Sequence, residues 1–594
     1  MCGIVGGISS RNVKDYIIKG LKSLEYRGYD SAGIALLHPD EIKLTRVKGG
    51  VDLLSEAIKD EPDVTIGVGH TRWATHGAPS IINAHPQTSM HGYFSVVHNG
   101  VIDNFRTLKA RLIDHGYHYN GDTDTEIVAN LIEHYYLKHH KGPLEAIKLA
   151  LHDIRGSYAL AILFKNDFEH IYFAKMRSPL VIGRGESGMY LASDYMPMAK
   201  EAKEFYAVND GEYGFLTKDD LVLYNLNNPN KLQVTYHERE LEQIDIGLEG
   251  YPHYMLKEIE ESTQVVRRLL DYYYDGSKFL FDENLMKTVS KAPKLVFIAA
   301  GTSYHACLIA RRYLFNFAKN ADVFVASEWA YYPYITDPES VFVFVSQSGE
   351  TADLIRCIDI VRQRGNTIIT ITNSKGSTLD RLSDFTLLLY AGYEVSVAST
   401  KAYTAQITLF ALVLAALRDN HNTISDFYSV IKAQEKIIEN KEMIHQIAKK
   451  IARAHDVYFL GRGLDHDVAL EASLKLKEIT YLHSEAFPGG ELKHGPIALI
   501  SPESPVIGFV SDPLTADAIR SNFEEVKARG AHVYVISPKS LSRDDDAIIV
   551  PTTKNYLSPL TMGIVGQYLA YYVALELGTN IDKPRNLAKS VTVE

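Results

Sequence analysis

The sequence predicts an α+β N-terminal region followed by a duplicated α/β region built on parallel sheets. Three observations predict it. Over residues 1–240, short β-rich runs recur between turn residues with few helices among them, a pattern of antiparallel sheet. From about Met255 onward the order becomes strand, loop, helix, repeated, as in βαβ units with a parallel sheet. Finally, Val345-Ser346, Thr351-Ala352-Asp353 and Arg364-Gly365-Asn366-Thr367 find an echo in Val510-Ser511, Thr515-Ala516-Asp517 and Arg529-Gly530-Ala531-His532. That offset fits one domain length. Leu295–Gly301 is likewise echoed by Val457–Gly461.

In the first region, strands are expected at Thr65–Val68, Tyr93–His98, Ala159–Phe164, His170–Ala174 and Met189–Ser193. Helices are expected at Asp15–Tyr26, Phe105–Gly116 and Thr123–His134. Tyr236–Tyr254 is polar, without strong periodicity, and reads as a linker. Beyond it, Leu295–Ala300, Val341–Val345 and Thr367–Thr372 read as strands, with a helix running through Arg362. Thr404–Leu417 is apolar but shorter than the ~18–20 residues a membrane span needs, so it reads as a buried helix. A chain of 594 residues exceeds what one core can fill. The expected division is 1–240, a linker and leading helix over 241–280, α/β domains over 281–430 and 431–584, and a tail over 585–594.

Composition narrows the function. Net charge is −11, from 62 basic and 73 acidic residues. This argues against a nucleic-acid or anionic-membrane surface as the main partner, so any phosphate must be held in a local pocket. The three cysteines, Cys2, Cys307 and Cys357, are too few for a disulfide framework and favour a cytoplasmic protein. Cys307 and Cys357 read as small buried apolar residues. No signal peptide, C-x-x-C, H-E-x-x-H or EF-hand pattern appears in the sequence, and no metal site is expected.

Cys2 opens the run Cys2-Gly3-Ile4-Val5-Gly6. Removal of Met1 would put a thiol and a free α-amine on one residue. That amine titrates at about 7.7–8.0 and would act as the base for its own thiol. A small N-terminus is ordinarily poorly ordered, but the glycines and β-branched residues that follow favour a strand-like start. An acyl-transferring thiol also needs oxyanion donors and a substrate clamp. Three clusters offer these. Arg72-Trp73-Ala74-Thr75-His76-Gly77 emerges from an apolar strand, and Arg72 suits a carboxylate. In His98-Asn99-Gly100, the Asn amide and Gly N–H suit an oxyanion, although the dipeptide by itself favours a type I′ hairpin turn. Asp122-Thr123-Asp124-Thr125-Glu126 reads first as a helix cap, with one acid to spare for a substrate ammonium.

Together with Glu25-Tyr26-Arg27-Gly28-Tyr29-Asp30-Ser31-Ala32-Gly33, these segments resemble the N-terminal-nucleophile glutamine amidotransferases. The resemblance implies that Cys2 is the glutaminase nucleophile and that Asn99 and Gly100 hold the oxyanion. It implies that Arg72, Trp73, Thr75, His76 and Asp124 belong to the glutamine set, with Trp73 also a gate on an ammonia path. Arg27 falls close to the nucleophile.

In the second region, Gly301-Thr302-Ser303 and Ser346-Gln347-Ser348-Gly349-Glu350-Thr351 lie where a strand turns into a helix. Free N–H groups and the helix dipole favour an anion there, against the plainer reading as Ser/Thr caps. There is no Walker A pattern. Glu471, Lys475 and Glu478 share one helix face over Leu470–Leu482. Such a stripe is by default a solvated salt-bridge row, while the functional reading makes Glu478 a proton shuttle. His494, in Glu491-Leu492-Lys493-His494-Gly495-Pro496, has a pKa suited to acid–base work. Lys589 is a tail lysine, ordinarily solvated, that in a pocket would form a Schiff base with a ketose.

These segments, with Ala398-Ser399-Thr400-Lys401-Ala402, Leu474–Ile479 and Pro584–Glu594, resemble the sugar isomerase domains of the glutamine–fructose-6-phosphate aminotransferase family. The implied fold is an α+β N-terminal-nucleophile glutaminase domain (an αββα sandwich) followed by two α/β sugar isomerase (SIS) domains with parallel sheets. The implied sugar-phosphate residues are Thr302, Ser303, Ser346, Gln347, Ser348 and Thr351. Glu478 is implied as isomerisation base, His494 as ring opener and Lys589 as Schiff-base lysine, with Lys475 and Arg585 in support. Implied partners are L-glutamine, D-fructose 6-phosphate and a second copy of the chain, with no cofactor. A relative acting on another phosphosugar, or a sugar-phosphate sensor without turnover, are the competing expectations. Phe487-Pro488-Gly489-Gly490 departs from the family pattern.

Overall fold

The computed structural model describes residues 2–73, 76–228, 230–238, 247–315, 319–334 and 337–591. The chain divides into two compact units, Met1–Asp245 with Ser590–Glu594, and Ile246–Lys589.

The first unit carries fourteen strands among its described residues: β1 Gly3–Ser9, β2 Ser31–Leu37, β3 Ile42–Lys48, β4 Ile66–Arg72, β5 Gln87–Thr88, β6 Phe94–Ile102, β7 Gly156–Phe164, β8 Ile171–Met176, β9 Val181–Arg184, β10 Gly188–Ala192, β11 Glu204–Ala207, β12 Glu212–Leu216, β13 Leu221–Asn225 and β14 His237–Glu238. They form an eight-stranded sheet, ordered β14-β11-β9-β10-β1-β4-β2-β3, and a six-stranded sheet, ordered β13-β12-β8-β7-β6-β5. Their inner faces meet through Ile4, Ile8, Val68, Val97, Ala161 and Phe173. The helices Lys14–Leu24 and Val51–Ala57 cover the outer face of the first sheet. Phe105–Asp114, Asp124–His139 and Pro143–Asp153 cover the second. The result is four layers, αββα. The five strands expected from the sequence correspond to β4, β6, β7, β8 and β10, and the strand-like start after Cys2 to β1; β4 runs on to Arg72 and β6 to Ile102, and the other eight strands escaped that reading.

The thiol-bearing terminus is fixed because β1 is a central strand, paired antiparallel to β4 and β10. Its seven residues are all buried, each large apolar side chain contributing roughly 1.5–3 kcal/mol. A Cβ on Gly3 would lie 2.7 Å from Thr71 Oγ1 and 2.8 Å from Leu24 Cβ, so only glycine lets β1 pack this closely. The polar segment expected to be a linker begins as strand, since His237–Glu238 pairs with β11.

The second unit holds two five-stranded parallel sheets. The first consists of β15 Leu295–Ala299, β16 Ala321–Val325, β17 Val341–Ser346, β18 Ile368–Thr372 and β19 Phe385–Leu388, ordered β16-β15-β17-β18-β19. The second consists of β20 Asp456–Gly461, β21 His483–Pro488, β22 Pro505–Phe509, β23 His532–Pro538 and β24 Ile548–Val550, ordered β21-β20-β22-β23-β24. The identical order bears out the repeat. In each sheet the connection reverses direction after the first strand, and such a switch point opens a crevice at the strands' C-terminal ends. The helices Lys401–Leu417, Leu464–Thr480 and Pro559–Leu577 contribute to one core with both sheets. Lys401–Leu417 is almost wholly buried, as expected for the apolar run. No described helix is long and apolar enough to cross a membrane.

Candidate active site

Two groups of the singled-out residues assemble, one in each unit. In the first, Cys2 sits beside the end of β4. Its Sγ accepts a hydrogen bond from the Trp73 backbone N–H at 3.4 Å and contacts the Trp73 carbonyl at 3.5 Å. Burial pushes the thiol pKa up, and the positive Arg72 is among the groups opposing this. Asn99 lies on β6 and donates through Nδ2 to the Cys2 carbonyl at 3.1 Å. The hairpin reading of Asn99-Gly100 is thus wrong. Both residues lie inside a continuous antiparallel ladder, Asn99 opposite Ala159 and Gly100 opposite Tyr158. Gly100 has φ +136°, and a Cβ there would lie 2.1 Å from the Ser157 carbonyl oxygen. The glycine serves a close approach of two strands rather than a turn.

Arg72 is buried, and burial lowers its pKa. Its Nη2 donates to the carbonyls of His76 and Gly77, whereas Nη1 is buried with no hydrogen-bond partner among the described residues. A buried guanidinium with a free N–H edge is suited to a carboxylate. Asp124, the first residue of its helix, accepts from the Ile102 N–H at 2.9 Å. Thr123 caps the same helix through the Glu126 N–H. Glu126 in turn accepts from the N–H groups of Asn120 and Gly121, both at 2.8 Å. These contacts commit Thr123 and Glu126 to structure. His76 packs edge-on to Phe105 at 4.9 Å. Thr75 lies outside the described residues. Arg27 is buried, paired with Asp194, and donates to Tyr26 Oη at 3.1 Å.

In the second unit, the Gly301–Ser303 and Ser346–Thr351 loops flank the crevice between β15 and β17. Ser346 Oγ lies 3.0 Å from Thr351 Oγ1 and accepts from the Gly349 N–H at 3.0 Å, and Ser348 Oγ accepts from the Glu350 N–H at 3.2 Å. The Gln347 carbonyl accepts from the Asn373 N–H. Gly349 has φ +67°, and a Cβ would strike Ser377 Oγ at 2.0 Å. Ser303 Oγ accepts from Gln406 Nε2 at 2.9 Å.

Thr302 joins this loop to the stripe on Leu464–Thr480, donating to Glu471 Oε1 at 3.0 Å and accepting from Lys475 Nζ at 2.9 Å. Lys475 pairs with Glu478 at 2.6 Å, and His305 Nδ1 lies 2.8 Å from Glu471 Oε2. Lys475 and Glu471 are 1% exposed, which overturns the solvated-stripe expectation. The shared face is turned against the Gly301–Phe315 helix. Burial raises the Glu478 pKa despite Lys475. The helix itself starts at Leu464 and ends at Thr480, earlier at both ends than expected; Gly463 (φ +58°) and Tyr481 (φ +63°) mark the breaks.

Lys589 is not solvated either. Its side chain is 3% exposed and its Nζ lies 2.5 Å from Glu394 Oε2. Glu394 also accepts from Ser399 Oγ and from the N–H groups of Thr400 and Ala402, at 2.8, 2.8 and 3.0 Å. Burial alone would raise its pKa; Lys589 and these N–H groups overcome that and hold it at about 2. Next to it, Glu258 is pushed up to about 8 by burial and by Glu394. Three residues of this cluster escaped the sequence reading: Glu394, Glu258 and His305. The one available signal was Glu394, a lone charge within Ala391-Gly392-Tyr393-Glu394-Val395-Ser396-Val397; Glu258, in Lys257-Glu258-Ile259-Glu260-Glu261, gave none.

Two residues stand apart. His494, at the end of the 3-10 turn Gly489–His494, is exposed and makes no side-chain hydrogen bond among the described residues. Arg585 is exposed, with its guanidinium 4.2 Å from the Tyr481 ring centroid. The Phe487–Gly490 departure has a local reason. A Cβ on Gly489 would meet Asn522 Oδ1 at 2.6 Å and one on Gly490 would meet Arg462 Nη2 at 3.0 Å, so both glycines make room for the Arg462–Asn522 hydrogen bond.

The second sheet's switch point is built differently. Asp465, early in its helix, accepts from the Ser511 N–H at 2.8 Å and from the Ser511 hydroxyl, which lies 2.7 Å from Ser558 Oγ. Burial pushes Asp465 up to about 6. A carboxylate of the chain itself thus takes up the donors at the place corresponding to the Ser346–Thr351 loop.

Comparison with known proteins agrees with this two-part arrangement. The glutamine amidotransferase domain family matches residues 72–200, and the SIS domain family matches residues 288–416 and 450–577. The chain is 42% identical over 605 residues to glutamine–fructose-6-phosphate aminotransferase [isomerizing] of Listeria monocytogenes, covering 100% of both chains. It is 42% identical over 603 residues to the protein of that name from Geobacillus kaustophilus, again covering 100% of both. The solved C-terminal domain of glucosamine-fructose-6-phosphate aminotransferase from Francisella tularensis superposes with TM-score 0.55 at 32% identity, covering 57% of this chain and 99% of that one. The chain therefore belongs to the glutamine–fructose-6-phosphate aminotransferase (isomerizing) family.

Proposed function

We propose that this enzyme transfers ammonia from L-glutamine to D-fructose 6-phosphate, yielding L-glutamate and D-glucosamine 6-phosphate. The observation that carries this reading is Lys589. A buried primary amine beside a buried carboxylate, in the unit that also holds the hydroxyl-rich loops, is equipped to capture a ketone. With Met1 removed, the Cys2 thiol attacks the glutamine amide carbon and passes its proton to its own α-amine. Asn99 and Gly100 stabilise the oxyanion. Ammonia departs with that proton, leaving a thioester that water cleaves to glutamate. Arg72 holds the substrate carboxylate and Asp124 its ammonium, with Trp73, Thr75 and His76 completing the pocket. Ammonia passes to the sugar shielded from water, since protonation would remove its lone pair.

At the sugar site, Thr302, Ser303, Ser346, Gln347, Ser348 and Thr351 bind the phosphosugar. His494 opens the ring. Lys589 forms an imine at C2 with loss of water, and ammonia then displaces Lys589. Glu478, whose pKa burial raises, moves a proton from C1 to C2, with Lys475 orienting it and Arg585 in a supporting place; at the glutaminase site Arg27 supports the nucleophile. We place the domain limits near residues 240, 280, 430 and 584, and the protein in the cytoplasm as a homodimer. The test is an assay of both products. Cys2→Ala is expected to abolish glutamine-dependent synthesis while sparing isomerisation of the sugar, and Lys589→Ala to abolish synthesis with either nitrogen source. Retention of glutamine-dependent synthesis by Cys2→Ala would overturn the assignment, as would intact-mass detection of Met1 on active enzyme.

A further inference from the structure

The glutaminase cluster contains a buried histidine that the proposed chemistry does not use. His70, on β4, is 0% exposed. Its Nε2 lies 2.9 Å from the His98 carbonyl oxygen and 3.1 Å from Asn99 Oδ1. Both partners accept, so Nε2 carries the hydrogen. The other ring nitrogen, Nδ1, is buried with no hydrogen-bond partner among the described residues, and the ring packs 4.4 Å from that of His85. Burial drives the His70 pKa down to about 3, so the ring stays neutral throughout the working pH range.

The Asn99 amide is held at both ends. Its oxygen accepts from His70, and its nitrogen donates to the Cys2 carbonyl. Rotating the amide by half a turn would set its NH₂ against the His70 N–H and its oxygen against the Cys2 carbonyl. Both contacts would then be repulsive. A primary amide has two N–H bonds, of which the Cys2 carbonyl takes one. The second makes no hydrogen bond among the described residues and is left to donate, on a residue in contact with the nucleophile.

We propose that His70 is a positioning residue for glutamine hydrolysis: through its Nε2–H it fixes which way the Asn99 amide faces, and so keeps an N–H turned toward the oxyanion. The inference rests on the glutaminase reading given above and deepens it.

The test compares full-length wild type with His70→Phe and His70→Gln, measuring glutamate release from L-glutamine and binding of L-glutamate by calorimetry. Phe fills the space without a donor, whereas Gln restores an N–H. Loss of one oxyanion donor costs about 10²–10³ in kcat. A misdirected amide is expected to lower kcat of His70→Phe roughly 10–100-fold, with KM and L-glutamate affinity within about threefold of wild type. His70→Gln is expected to regain most of that loss. Unchanged kcat in His70→Phe overturns the proposal. Equal losses in both variants, or loss of L-glutamate binding in His70→Phe, also overturn it, since a packing role alone would produce either. Absence of glutamate release by wild type would instead overturn the glutaminase reading, and this inference with it.

Discussion

Glu258 offers the sharpest quantitative test. One of its carboxylate oxygens accepts from the N–H groups of Val395 and Ser396. The other is buried with no hydrogen-bond partner among the described residues. Burial and the neighbouring Glu394 raise its pKa from 4.5 to about 8. Between these values the native protein holds a proton that the unfolded chain has released. Because the native state binds more protons, stability falls as pH rises through this window, by about 1.4 kcal/mol per pH unit. At pH 7 this amounts to about 3 kcal/mol. Glu258→Gln preserves the shape and the accepting oxygen but carries no titrating proton. Its own buried NH₂ adds a constant penalty of about 1–3 kcal/mol, so the informative quantity is the slope. Urea unfolding of wild type and variant side by side is expected to show the variant gaining about 2–3 kcal/mol on wild type between pH 5.5 and 7.5. Every other titration is common to both proteins and cancels. A difference that stays flat over this range would refute the argument that Glu258 is protonated in the folded enzyme.

Gly100→Ala is expected to lower glutaminase kcat by roughly 10²–10³-fold, because a methyl group 2.1 Å from the Ser157 carbonyl must push the oxyanion N–H aside; ammonia-dependent synthesis should persist in the same assay. Lys589→Met strands the Glu394 carboxylate in the core and is expected to cost about 3–5 kcal/mol in urea unfolding. Adding Glu394→Gln should recover most of that stability without any recovery of synthesis. Ser348→Ala removes one donor from the phosphate loop and is expected to raise KM for fructose 6-phosphate roughly 10–100-fold, with glutamine hydrolysis unaltered.

Much of this architecture was legible in the residues, for identifiable reasons. The parallel sheets announce themselves through apolar strands ending in small and hydroxylated residues, and the duplication through matched loops. Cys2 stands out because its neighbours can only belong to a tight strand. Asn99-Gly100 misled because a dipeptide reports short-range turn chemistry. Its true setting is imposed by β7, which lies more than fifty residues along the chain. The spacing of Glu471, Lys475 and Glu478 fixes a common face but says nothing about whether that face is wet; the helix Gly301–Phe315, far away in sequence, decides it. Lys589 and Glu394 are 195 residues apart, and no local pattern joins a tail lysine to a loop acid. Buried charge pairs of this kind are the least visible feature of a sequence, because each partner taken singly looks like an ordinary surface residue.

The asymmetry of the duplicated halves sets a stoichiometry. Two sheets of the same strand order would offer two equivalent cradles, but Asp465 already occupies the donors of the second with a permanently tethered anion. An incoming phosphomonoester would have to evict a carboxylate that cannot leave. Each polypeptide should therefore saturate with a single equivalent of hexose phosphate.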